Sequence, residues 1–208
     1  SQTVENLRKE NTDLIEEIRK SSILIKNKCI KELDFMNEPC STLAGLASEE
    51  SCSYKGMTVL CRWAVSEVYD GDSAKIIFVD RKPTGDILVK IPFRFRGIDT
   101  EELKQPIKLE ESVRASKKAT AIKQRDGLRK MLTSSQYITV AVIDGREKFK
   151  RLIGEVYFIE KSSLPMSGFD VDSKVFADAY LIPENSISQN MINKYGATPY
   201  FGGKRFIK

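Results

Sequence analysis

The sequence predicts an α+β fold: a small sheet of five strands with one long helix inserted after the third, preceded by a separate amphipathic helix. Three observations carry this prediction. From Met57 onward, short segments rich in β-branched and aromatic residues are bounded by Gly, Asp and Pro. Residues 108 to 132 set apolar residues at helical spacing among Ala, Lys and Arg. Residues 4 to 25 repeat apolar residues every three and four positions.

Val4, Leu7, Asn11, Leu14, Ile18 and Ile25 occupy the a and d positions of a heptad pattern, so residues 1–33 are expected to form an amphipathic, coiled-coil-like helix. Its apolar stripe through residues 4–25 suits a homodimer, a partner protein, or packing on the rest of the chain. Residues 34–56, with Pro39, Gly45, Gly56 and several serines, lack periodicity and read as a linker. The main domain is then residues 57–208. Its first strand carries Val59, Cys61, Trp63 and Val65, and the next two run from Ala74 to Val79 and from Ile87 to Ile98. Short turns at Asp70-Gly71 and at Pro83-Thr84-Gly85-Asp86 join them as antiparallel neighbours.

After the helix over 108–132, strands are expected at Tyr137 to Ile143 and Leu152 to Ile159, around the charged turn Asp144-Gly145-Arg146-Glu147-Lys148. A loop over Ser162 to Ser173, an apolar segment from Val175 to Ile182, a helix from Ile187 to Tyr195 and an irregular end complete the chain. Five strands with a helix after the third suit a small closed barrel of the OB type, and the residues alone equally allow another five-stranded α+β arrangement.

Composition narrows the chemistry. With 208 residues, of which 41% are apolar and 30% charged, the chain has the make-up of a soluble globular protein. A net charge of +5 is compatible with a polyanionic partner and with many other roles. No stretch reaches the length of a membrane-spanning helix. There is no histidine, which excludes histidine general acid/base catalysis, Ser-His triads and Cys/His zinc sites. The four cysteines, Cys29, Cys40, Cys52 and Cys61, form no CxxC pair. In an oxidising compartment they could make two disulfides, and in a reducing one they are thiols.

Carboxylates and arginines must therefore carry any catalysis, and they gather between residues 69 and 102. Tyr69-Asp70-Gly71-Asp72-Ser73 opens one strand, and Phe93-Arg94-Phe95-Arg96-Gly97-Ile98-Asp99-Thr100-Glu101-Glu102 closes the next. Each motif taken singly also fits a hairpin turn or a helix cap. Together they supply oxygen ligands for a hard divalent cation, a carboxylate to take a proton from water, and guanidinium donors for phosphate.

These residues resemble the staphylococcal nuclease-like family, whose pattern is an Asp-Gly-Asp-Thr turn, then Arg-x-x-x-x-Asp-Thr-Pro-Glu, then a distal Tyr-Gly-Arg. The resemblance covers roughly residues 57 to 203 and implies an OB-fold barrel with flanking helices. It further implies a metal site, for calcium (Ca2+) or another divalent cation, on Asp72, Asp99 and the backbone carbonyl of Thr100. Glu102 would act as general base or orienter of the attacking water, with Arg94 and Arg151 on the scissile phosphate. Lys148, Phe149 and Tyr200 are the expected substrate-binding positions.

The chain departs from the family pattern in carrying Phe149 for a tyrosine, Lys150 for a glycine, Glu101 for a proline and Ser73 for a threonine. The implied activity is hydrolysis of DNA and/or RNA with little sequence preference, leaving 3'-phosphate ends, with single-stranded or frayed substrate suited to an OB groove. The alternative is a noncatalytic module that binds nucleic acid or protein with the same fold.

Overall fold

The structure is a computed structural model that describes residues 54–82, 85–146 and 151–201, together with Lys9, Thr12, Asp13, Ile15 and Glu16. Those five isolated positions are helical. The remainder of the heptad segment, most of the linker, and Cys29, Cys40 and Cys52 lie outside the described residues.

Five strands close into a mixed barrel, as the sequence predicts: β1 (Thr58–Trp63), β2 (Ser73–Lys82), β3 (Gly85–Phe95), β5 (Tyr137–Arg146) and β6 (Leu152–Glu160), in the spatial order β1-β2-β3-β6-β5. Two further strands, β4 (Ile98–Asp99) and β7 (Thr198–Pro199), pair antiparallel outside it. Three helices flank the barrel: α1 (Glu111–Thr133), α2 (Lys174–Tyr180) and α3 (Ile187–Tyr195). The fold is α+β and OB-like.

Alternation along the strands explains the closure. On β3, Val89, Ile91, Phe93 and Phe95 are buried and face the interior, where they meet Ile76 and Phe78 of β2 and Leu152 and Val156 of β6. β2 and β3 form a ten-pair antiparallel hairpin, whereas β3 and β6 run parallel through Phe93↔Leu152, Arg94↔Ile153 and Phe95↔Gly154. Trp63 stacks on Phe95 with ring centroids 5.1 Å apart and meets Phe93 edge-on at 5.5 Å.

A second apolar layer lies outside the barrel. Leu60, Ile138, Val140 and Ile159 pack under Phe169, Val171 and Phe176, so α2 and the segment before it cover the strands whose two faces are both apolar. Leu128 and Leu132 of α1 join Val68, Ile187 and Met191 in the main core.

Several local features differ from expectation. The third strand ends at Phe95 rather than Ile98, because Gly97 takes φ +82° and turns the chain, leaving Ile98 to open β4. Val65 belongs to a short 3-10 turn, Val65–Glu67, not to β1. The Asp70-Gly71 pair closes a tight turn through an Asp70↔Ser73 bridge after that segment, rather than joining β1 to β2 directly. The long helix begins at Glu111. The apolar segment after residue 174 is the helix α2, begun where Ser173 accepts a hydrogen bond from the Phe176 amide.

Tyr54, within the expected linker, is 3% exposed and packs edge-on against Phe78 at 5.2 Å, so the core starts before residue 57. Cys61 is a free, buried thiol pushed up to about 12 by burial, which overturns the reading of two disulfides drawn from all four cysteines. Among the described residues, no helix is long and apolar enough to cross a membrane.

Candidate active site

The site forms where three separate segments meet at one end of β3. The first is the Asp70–Ser73 turn. A Cβ on Gly71 would lie 2.9 Å from Thr100 Cγ2 and 3.0 Å from Gln124 Cβ, so only glycine lets this turn press against both neighbours. The Phe95 amide donates to the Asp72 carbonyl at 2.9 Å and fixes the turn against the end of β3.

The second segment is β3 with the turn into β4. Because Phe93 and Phe95 face the core, period-two alternation turns Arg94 outward. Its Nη2 lies 3.3 Å from Asp72 Oδ2 and 3.3 Å from Asp99 Oδ1. Asp72 also accepts a hydrogen bond from the Thr100 amide at 3.4 Å. The third segment is the carboxy-terminal one. Asp99 pairs with Thr198 across β4 and β7, the Tyr200 amide donates to Gly97 O at 2.9 Å, and the Tyr200 ring sits 5.7 Å from Arg94 Cζ in cation–π range.

Two carboxylates thus share one guanidinium, leaving the three groups with a net negative charge. Burial raises the Asp72 carboxyl to about 6; Arg94 opposes the rise, Asp99 adds to it, the Thr100 amide opposes it, and Asp70 adds to it. Thr100 is buried, and its hydroxyl has no hydrogen-bond partner among the described residues. Among the described residues, no three His, Cys, Asp or Glu side chains gather as a metal-binding group. The available donors are two carboxylates, with the Thr100 backbone next to Asp72, a hard-oxygen set that fits a cation able to take the rest of its shell from water and phosphate.

Asp72, Asp99, Thr100, Arg94 and Tyr200 are therefore brought together. Glu102 is not: its side chain is exposed and makes no hydrogen bond or ion pair among the described residues, while its carbonyl accepts from Gln105 Nε2. The neighbouring Glu101 instead pairs with Lys117 of α1 at 3.2 Å. Arg151 is half-buried at the mouth of β6, one residue before the Leu152 that pairs with Phe93. Lys148, Phe149 and Lys150 lie outside the described residues.

Sequence reasoning missed Gln124. It lies on the stripe of α1 that buries Ala121, Leu128 and Leu132, and is only 2% exposed. Its Oε1 accepts from the Glu101 amide at 2.9 Å, and its Nε2 donates to the carbonyls of Tyr195 at 3.3 Å and Gly196 at 3.0 Å. A long polar side chain on the apolar stripe of a helix was the signal that could have found it.

No protein-family model matches the chain, and no curated protein matches it.

Proposed function

We propose that this protein is a divalent-metal-dependent phosphodiesterase that hydrolyses DNA or RNA, a nuclease of the staphylococcal nuclease-like kind. The observation that carries the reading is the placement of Arg94 between Asp72 and Asp99, 3.3 Å from each, on an OB-like barrel. Asp72, Asp99 and Thr100 would hold a calcium or similar ion, and the unpartnered Thr100 hydroxyl and the converging carboxylates support that fit. Such an ion, when bound, lowers the pKa of coordinated water and offsets charge on a phosphoryl oxygen.

The chain's own groups supply the rest. Arg94 would donate paired hydrogen bonds to non-bridging phosphate oxygens, and its two carboxylate partners keep it oriented before substrate arrives. The Tyr200 ring, 5.7 Å from the guanidinium carbon, would help to hold Arg94 in place. Glu102, exposed on the segment that follows Thr100, can take a proton from water once substrate covers it. Arg151 would be the second phosphate ligand.

A noncatalytic binding module is the second reading, favoured by one observation: the Glu102 side chain stands apart from the acid–arginine cluster. The deciding experiment is a cleavage assay on single-stranded DNA and RNA in calcium, magnesium and manganese, with product-end analysis. Release of 3'-phosphate fragments that stops with chelator, and with Arg94→Ala or Glu102→Gln, is the expected result. Binding without cleavage in all three metals would reject the enzyme.

A further inference from the structure

We infer that Gln124 is a positioning residue for this site, setting the separation of the Asp99–Glu101 segment and the Tyr200 segment from a single side chain on α1. The inference deepens the phosphodiesterase reading and rests on it where it concerns turnover.

The amide of Gln124 is fully engaged between two stretches of backbone that are far apart in sequence. Its oxygen accepts from the amide of Glu101, the residue next to Thr100 and two after Asp99. Its nitrogen donates to the carbonyls of Tyr195 and Gly196, where α3 ends in a left-handed Gly196 and the chain turns toward Thr198 and Tyr200. Its Cβ abuts Gly71, the residue before Asp72, at the distance where an added Cβ would clash. One side chain therefore reaches every segment that contributes to the Arg94 cluster, with no hydrogen bond to Arg94, Asp72 or Asp99 among the described residues.

A residue serving packing alone would need no polar atoms on this apolar stripe. Burying a primary amide is tolerated here because three backbone groups satisfy it, and those groups have fixed positions. The Asp99–Glu101 segment holds Asp99 and Thr100, so its displacement moves two proposed metal ligands relative to Asp72 together. A shift of about 1 Å in such a site lowers turnover by roughly 100-fold.

The test uses the full chain with Gln124→Met, which keeps length and apolar bulk but loses all three hydrogen bonds. With folding checked by Trp63 emission, kcat on single-stranded DNA in calcium should fall by about 100-fold with KM little changed, and calcium should bind more weakly by isothermal titration. Gln124→Glu keeps the acceptor for the Glu101 amide but sets a carboxyl oxygen against the Tyr195 and Gly196 carbonyls, so its kcat should fall as well.

Amide hydrogen exchange of Glu101 gives a readout that needs no turnover. This amide should be protected in the wild-type protein and in Gln124→Glu, and exposed in Gln124→Met. A folded Gln124→Met protein with kcat within twofold of wild type, or a Glu101 amide that exchanges at the unprotected rate in the wild-type protein, would overturn the inference. Absence of cleavage by the wild-type protein in all three metals would reject the nuclease reading instead, and the exchange measurement would still decide the role of Gln124.

Discussion

Thr139 offers the sharpest test of how the barrel supports the site. Thr139 is 3% exposed, and its hydroxyl accepts from Trp63 Nε1 at 3.0 Å and from Cys61 Sγ at 3.5 Å and donates to the Cys61 carbonyl at 2.7 Å, locking β1 to β5 from inside the protein. Trp63 in turn stacks on Phe95, the residue after Arg94. Thr139→Val keeps shape and volume and removes all three bonds. Deleting one side of a buried hydrogen bond costs about 1–3 kcal/mol, so a loss of about 3 kcal/mol is expected, nearly all of it from the Trp63 and carbonyl bonds. For a domain of this size, that lowers Tm by roughly 6–12 °C.

The measurement is urea unfolding followed by emission of Trp63, the only tryptophan in the chain. The midpoint should fall with unchanged slope. Thr139→Ser, which keeps the hydroxyl and loses one methyl, should cost about 1 kcal/mol. A Thr139→Val protein within about 0.5 kcal/mol of wild type, or a serine variant as unstable as the valine one, would refute the assignment of the stabilisation to these bonds.

Three other outcomes are expected. Burial, only partly offset by the Ser186 hydroxyl, raises the Glu155 carboxyl above the ordinary 4.5. The unfolded chain therefore ionises first, and stability falls as pH rises from about 4.5 through the folded-state value; Glu155→Gln should flatten that slope in unfolding titrations at several pH values. Ser186→Ala removes both the cap on the Gln189 amide and the partner of Glu155, and should cost about 1–3 kcal/mol by the same titration. Arg94→Lys keeps the charge but loses the forked donor geometry; on the nuclease reading kcat should fall by about 100-fold while the Trp63 unfolding transition remains cooperative.

The strands and the long helix were legible in the sequence because their signals are local. Alternation of Val89, Ile91, Phe93 and Phe95 both marks a strand and decides that Arg94 faces outward. The acids were legible for the same reason, since Asp72 and Asp99 each sit at a strand end with a turn beside it. The grip of the carboxy-terminal segment on the site was not legible. The pairing of Asp99 with Thr198 spans about a hundred residues, and two-residue strands leave no periodicity to read. Gln124 was hidden because its role depends on which backbone groups face it, and those belong to segments far along the chain. The second apolar layer explains why the segment after residue 174 gave no clear type: Phe176 is buried against strands rather than within a regular stripe of its own helix.

The pairing of β4 with β7 also orders events during synthesis. Asp72, Arg94 and Asp99 leave the ribosome long before Thr198, Pro199 and Tyr200, so the barrel strands can assemble while β4 still lacks its partner. The acid–arginine cluster gains its last wall only when the end of the described chain docks. A nascent or prematurely terminated chain thus carries the charged groups without the complete cluster, which is finished only once Thr198 to Tyr200 are free to pair with the Gly97–Asp99 segment.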